Sequence, residues 1–143
     1  MLTVADIMTA NPVRVTPGTP VQEVIGLMKS HAYRQILVVD GDQLLGIVTD
    51  RDIRLAMNSP YVLHDRSQDR ALLHDLPAEA CMTRNPITVT PQTSARQAAQ
   101  LLRDHKIGSM PVTDNGKVLG IISTSDILDS YIDLLAEVGV QTL

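Results

Sequence analysis

The chain has 143 residues, 44% of them hydrophobic, with 16 acidic against 12 basic side chains and a formal net charge of −4. That length fits one domain, or two small halves sharing a core. The acidic balance, the absence of Phe and Trp, and only three aromatics (Tyr33, Tyr61 and Tyr131) disfavour a general nucleic-acid binder, which uses a basic face and stacking rings.

Val4 to Met8 reads as a short apolar turn or helix. Asn11-Pro12 punctuates the chain, and Val13 to Thr16 alternates like a strand. Thr19-Pro20-Val21-Gln22 predicts a helix start with Thr19 as N-cap, Pro20 at the first position and Gln22 completing a capping box. Val21, Val24, Ile25 and Met28 follow at helical spacing. Ile36 to Asp40 and Leu44 to Thr49 flank Gly41-Asp42, a hairpin signal. A further helix is expected from near Arg51.

The pattern then returns. Met8-Thr9-Ala10-Asn11-Pro12 recurs as Met82-Thr83-Arg84-Asn85-Pro86, a constant offset of 74 residues. The same ungapped offset joins His31 to His105, Asp40 to Asp114, Gly46 to Gly120 and Asp52 to Asp126. The second copy predicts a helix with Ala95, Ala98, Ala99 and Leu102 inward. Strands at Met110 to Asp114 and Lys117 to Ser123 turn at Asn115-Gly116, and a last helix runs from Asp126 to about Val138. The expected class is α/β (α+β), with the order β-α-β-β-α twice. Residues 1–57 form the first repeat, 58–77 a polar connector with a turn of helix at Asp69 to His74, and 78–143 the second repeat.

Both repeats end alike, in Gly46-Ile47-Val48-Thr49-Asp50-Arg51-Asp52-Ile53 and Gly120-Ile121-Ile122-Ser123-Thr124-Ser125-Asp126-Ile127. A buried strand breaks at a hydroxyl and enters a helix, with a carboxylate three residues on. The helix mouth offers free N–H groups and the positive dipole end to a phosphate. The carboxylate can accept hydrogen bonds from sugar hydroxyls. The same pattern is also a capping box, which does no more than close a helix.

In these endings, the Asn-Pro elements and the Met110-Pro111-Val112 strand, the chain resembles a tandem pair of CBS domains, the module named after cystathionine β-synthase. The resemblance covers about residues 4–57 and 78–132. Val48-Thr49-Asp50-Arg51-Asp52-Ile53 is also similar to small stand-alone bacterial CBS-pair proteins, including those of acetoin-utilisation type. The family implies a pseudo-twofold pair packed through its sheets, with two clefts for adenine ligands: AMP, ADP, ATP, NAD(H) or S-adenosylmethionine. It implies a regulatory module rather than an enzyme, commonly a homodimer, acting on an effector protein. By the family pattern, Asp126 takes ribose in one cleft, Ser123 and Ser125 face phosphate, and adenine rests near Asn11, Val13, Tyr33 and Arg34. In the other, Asp52 takes ribose, Thr49 and Arg51 hold phosphate, and adenine meets Asn85, Ile87, Ile107 and Gly108. Leu37 departs from the pattern, standing where the second repeat has Pro111; a slight change of strand is expected there.

Arg34 and Arg51 correspond to Gly108 and Ser125, so the two clefts are expected to differ in phosphate preference. Ile127, Leu128, Tyr131, Leu135 and Val138 form an apolar stripe that suggests a dimer contact. His31 and His105 are expected at equivalent helix ends. His64 and His74 lack metal-ligand spacing, so no metal is expected. The single cysteine, Cys81, cannot form an intramolecular disulfide and is expected to be buried and inert. With no signal-peptide pattern and no apolar run of membrane-spanning length, the expected compartment is the cytoplasm. The rival function is a structural or protein-interaction module with no ligand.

Overall fold

The computed structural model describes residues 1–57 and 75–139. The expected helical turn at Asp69 to His74, and His64, lie outside the described residues. The elements in chain order are α1 (Val4–Ile7), β1 (Thr9–Ala10), β2 (Arg14–Val15), α2 (Val21–His31), β3 (Gln35–Asp40), β4 (Gln43–Thr49) and α3 (Asp50–Met57). After the connector come α4 (Ala78–Cys81), β5 (Thr83–Arg84), α5 (Ala95–His105), β6 (Ser109–Asp114), β7 (Lys117–Ser123) and α6 (Thr124–Glu137). The repeated order of strand, helix, two strands and helix is present in mixed α/β form.

Two compact units divide the chain. One is Val13–Pro86; the other joins Met1–Pro12 to Ile87–Leu143. Each short leading helix therefore belongs with the repeat it does not precede in sequence. In the first unit, Ala78 N–H donates to Thr19 O at 2.7 Å and Glu79 N–H to Pro17 O at 3.0 Å. The second unit repeats this with Val4 N–H on Thr93 O at 2.8 Å and Ala5 N–H on Pro91 O at 3.0 Å.

The core of the first unit is aliphatic. Val21, Val24 and Met28 of α2 pack with Ile36, Val38 and Val48 of the strands, and with Ala78 of α4. In the second unit Ala98 and Leu102 pack with Met110, Val112 and Ile122, and with Val4 of α1. The helical spacing of both apolar sets delivers these faces. The sheets run β5-β4-β3-β2 in the first unit and β1-β7-β6 in the second.

Glycine makes the exchanged strands possible. Thr83 and Arg84 pair with Ile47 and Gly46, as Thr9 and Ala10 pair with Ile121 and Gly120. A Cβ on Gly46 would stand 2.7 Å from Thr83 O and 2.8 Å from Met82 Sδ. On Gly120 it would stand 2.7 Å from Met8 Sδ and 2.8 Å from Thr9 O. Such contacts are closer than carbon and these atoms can sit.

Three expectations need correction. Thr19 does not cap α2: Pro20 is the N-cap residue, with no side-chain cap bond. Thr19 Oγ1 instead accepts the Thr16 N–H at 3.2 Å, closing the turn before the helix. The residue matching Pro20 is Ser94, which does cap α5 by accepting the Gln97 N–H at 3.0 Å. Second, the strand expected at Val13 to Thr16 shortens to Arg14–Val15, and its copy to a single parallel bridge, Val89 to Val112. Pro111 supplies the reason, since it has no N–H to donate where Leu37 has one. Third, α6 starts at Thr124, two residues before the expected Asp126.

Candidate nucleotide site at the helix mouths

Each mouth is built by a strand end handing over to a helix. β4 ends at Thr49 and α3 starts at Asp50; β7 ends at Ser123 and α6 starts at Thr124. At the first mouth, Thr49 N–H donates to Asp52 Oδ2 at 2.9 Å, and Asp52 N–H returns to Thr49 Oγ1 at 3.1 Å. At the second, Ser123 N–H donates to Asp126 Oδ2 at 2.9 Å, and Asp126 N–H to Ser123 Oγ at 3.2 Å. Both are reciprocal capping boxes, so the capping role of these residues is real.

The second carboxylate oxygen points elsewhere. Thr83 Oγ1 donates to Asp52 Oδ1 at 3.0 Å, across 31 residues of sequence. Thr9 Oγ1 stands 3.4 Å from Asp126 Oδ1, across 117 residues. These threonines come from the exchanged strands β5 and β1. A helix cap uses one oxygen; here a second oxygen is held by a hydroxyl, the donor type a sugar also offers.

Thr9 and Thr83 were not among the expected site residues. Their signal lay in the repeated Met-Thr before each Asn-Pro. No local pattern says that this dipeptide crosses to the other repeat.

The expected residues distribute by unit. Val13, Tyr33, Arg34, Thr49, Arg51, Asp52 and Asn85 fall in one, and Asn11, Ile87, Ile107, Gly108, Ser123, Ser125 and Asp126 in the other. Asn11 falls in the same unit as Asp126, and Asn85 in the same unit as Asp52. Val13, Tyr33 and Arg34 fall in the unit that holds Asp52, and Ile87, Ile107 and Gly108 in the unit that holds Asp126. Backbone bonds bring the ends together: Asp50 N–H donates to Arg34 O at 3.0 Å, and Thr124 N–H to Gly108 O at 2.9 Å.

Tyr33 stacks on His31, with ring centroids 5.3 Å apart and planes 12° from parallel. His31 and His105 end α2 and α5, where a cationic form would oppose the dipole's negative end. Asn11 and Asn85 take left-handed backbone, φ 50° and 49°. Asparagine tolerates that region better than other side chains do, which gives both residues a structural reason to be Asn. Leu37 is fully buried, as is Pro111.

Cys81 is partly buried, not fully buried as expected, and its Sγ lies 3.6 Å from Ala78 O. Burial pushes the thiol pKa up, and the nearby Asp52 charge adds to the rise. Among the described residues, no group of three His, Cys, Asp or Glu side chains could hold a metal, and no helix is long and apolar enough to cross a membrane.

A family model for the CBS domain matches residues 4–59 and 78–133. The chain belongs to the CBS domain family. It is 32% identical over 144 residues to a CBS domain-containing protein of Dictyostelium discoideum, covering 97% of each chain. Among solved structures, an acetoin utilization protein (AcuB) assignment from Vibrio cholerae matches with TM-score 0.83 and 28% identity, covering 100% of this chain and 99% of that one. CBSX2, of Arabidopsis thaliana, was solved in complex with AMP. This chain resembles that complex with TM-score 0.77 and 26% identity, over 94% of this chain and 98% of the other. The tandem CBS architecture of the chain follows from these matches and from its own repeat.

Proposed function

We propose that this CBS pair is a cytoplasmic regulatory module that senses adenine nucleotides, AMP, ADP, ATP or a related adenosyl ligand, and acts without catalysis of its own. The observation that carries the reading is the pair of carboxylates with one oxygen in a helix cap and the other held by a threonine hydroxyl. A ribose hydroxyl can replace that threonine as donor. In this reading Asp52 and Asp126 hold ribose, while Thr49 and Arg51, or Ser123 and Ser125, face phosphate. Asn11, Val13, Tyr33, Arg34, Asn85, Ile87, Ile107 and Gly108 are the residues proposed to contact adenine. The AMP in CBSX2 supports the ligand class.

A thermal-shift panel of AMP, ADP, ATP, NADH and S-adenosylmethionine tests it. A ligand at a hundred times its dissociation constant adds about 2.7 kcal/mol, or roughly 5–10 °C in a domain of this size. No shift with any of the five would reject the ligand role.

The proposed module works as a homodimer that answers to an effector protein. The exposed apolar side chains of α6 support an interface: Leu128, Tyr131 and Ile132 each keep more than half of their surface exposed. A module with no ligand is the second reading. It is favoured by the fact that Asp52 already has hydrogen-bond donors on both oxygens within the chain.

A further inference from the structure

A methionine precedes each exchanged strand. Met8 and Met82 are the C-caps of α1 and α4, and their N–H groups donate to Val4 O at 2.8 Å and Ala78 O at 3.0 Å. Their thioethers lie on the bare faces of Gly120 and Gly46, where a Cβ would meet Met8 Sδ at 2.7 Å and Met82 Sδ at 2.8 Å. Met82 also packs on the aliphatic core of the first unit, and Met8 on that of the second. Each is only half-buried, which leaves it open to a small solute.

The next residue in each case is the threonine that meets a mouth carboxylate. Thr83 Oγ1 donates to Asp52 Oδ1 at 3.0 Å, and Thr9 Oγ1 stands 3.4 Å from Asp126 Oδ1. Sulfur and hydroxyl are thus one residue apart on a two-residue strand and its lead-in, so a shift of one carries the other. The arrangement occurs twice, at the same offset of 74 residues.

A thioether suits this place and a sulfoxide does not. The sulfoxide oxygen is a polar acceptor, and burying it unpaired is costly. Over Gly46 the sulfur shares its space with Thr83 O, and over Gly120 with Thr9 O. Both are acceptors and cannot satisfy it. The other methionines stand apart from this arrangement. Met28 and Met110 are 7% and 0% exposed, Met1 is fully exposed, and Met57 ends α3, far in sequence from either exchanged strand.

We propose that Met8 and Met82 are a pair of oxidation-sensitive latches, whose conversion to sulfoxide by a peroxide releases β1 and β5 from their glycines and withdraws Thr9 and Thr83 from the two mouths. Each sulfur gives two electrons to the peroxide, whose O–O bond breaks. One oxygen bonds to sulfur, and the other leaves as water. A methionine sulfoxide reductase of each epimer class reverses the change. The inference needs no nucleotide and stands apart from the ligand reading.

The test treats the chain with hydrogen peroxide, maps oxidation by peptide mass spectrometry and measures melting temperature. All proteins carry Cys81→Ser, which keeps a donor for Ala78 O and removes the other oxidisable sulfur. Oxidation of Met8 and Met82 should lower the melting temperature by about 4 °C or more, and reductase treatment should restore it. Met8→Leu with Met82→Leu, a swap of similar volume, should keep its melting temperature under peroxide although Met1 and Met57 oxidise. Met82→Gln, polar like the sulfoxide, should melt lower without peroxide. Hydrogen exchange on the oxidised chain needs no substitution at either latch: amides of residues 8–10 and 82–84 should lose protection while those of β3 and β6 keep it. Met8 and Met82 intact after Met1 and Met57 have oxidised would overturn the inference. So would sulfoxides there with unchanged melting and exchange, or an equal loss in the Leu variant.

Discussion

Asp52 and Thr83 are bound to each other at 3.0 Å although they belong to different sequence repeats. The bond fastens β5 to the mouth of α3, and the counterpart from Thr9 to Asp126 is longer, 3.4 Å. Thr83→Val keeps the shape and removes the hydroxyl. It should cost about 1 kcal/mol in urea denaturation, a typical net hydrogen bond. Thr9→Val should cost less, as the longer distance implies. Equal costs would mean that the two mouths are held alike.

Gly46 and Gly120 are required for close backbone approach, and neither takes a left-handed conformation. Gly46→Ala and Gly120→Ala should each lose about 1–3 kcal/mol, because a carbonyl oxygen on the exchanged strand must retreat. Gly26 in α2 is the control. A Cβ there meets nothing within 4 Å, so Gly26→Ala should gain about 0.5–1 kcal/mol. Chemical denaturation of the three variants checks the order.

Asn11 separates backbone need from ligand contact. With φ 50°, Asn11→Ala should cost about 1 kcal/mol or more, whereas Asn11→Gly should leave stability near native. If the side chain also meets adenine, Asn11→Gly should weaken AMP binding while the melting temperature holds. Unchanged affinity would assign Asn11 to the turn alone.

The exposed face of α6 should bring two chains together. Light scattering at tens of micromolar should give twice the mass of 15.6 kDa. Tyr131→Asp with Ile132→Glu should give monomers without loss of helix content. A native monomer would refute the contact.

Much of this was legible because it is local or periodic. The offset of 74 residues, the two hairpins and both capping boxes depend on neighbours within a few positions. Asn115-Gly116 even adopts positive φ at both residues, 52° and 80°, as a tight hairpin turn requires. The exchange of α1 and α4 was not legible, since it depends on contacts between distant segments. Gly46 and Gly120 stood in the motif, but their reason is the approach of Thr83 and Thr9, which no spacing encodes. The backbone bond from Asp50 N–H to Arg34 O was hidden for the same reason. Thr19 shows the limit of local rules. Two hydroxyls, Thr16 and Thr19, could pair with each other, at 3.0 Å, and the turn took the residue that the helix pattern claimed.

The central claim is that Asp52 and Asp126 hold ribose. Its most direct test is calorimetric titration of AMP and 2′,3′-dideoxy-AMP into the native chain, Asp52→Asn and Asp126→Asn. The account predicts that the native chain binds AMP and that the dideoxy analogue binds about tenfold or more weaker, the loss of a charged hydrogen bond. Each Asn variant should weaken AMP at its own site and narrow the gap between the two ligands there. Equal binding of both ligands by the native chain, with both variants unchanged, would contradict it and leave the carboxylates as helix caps.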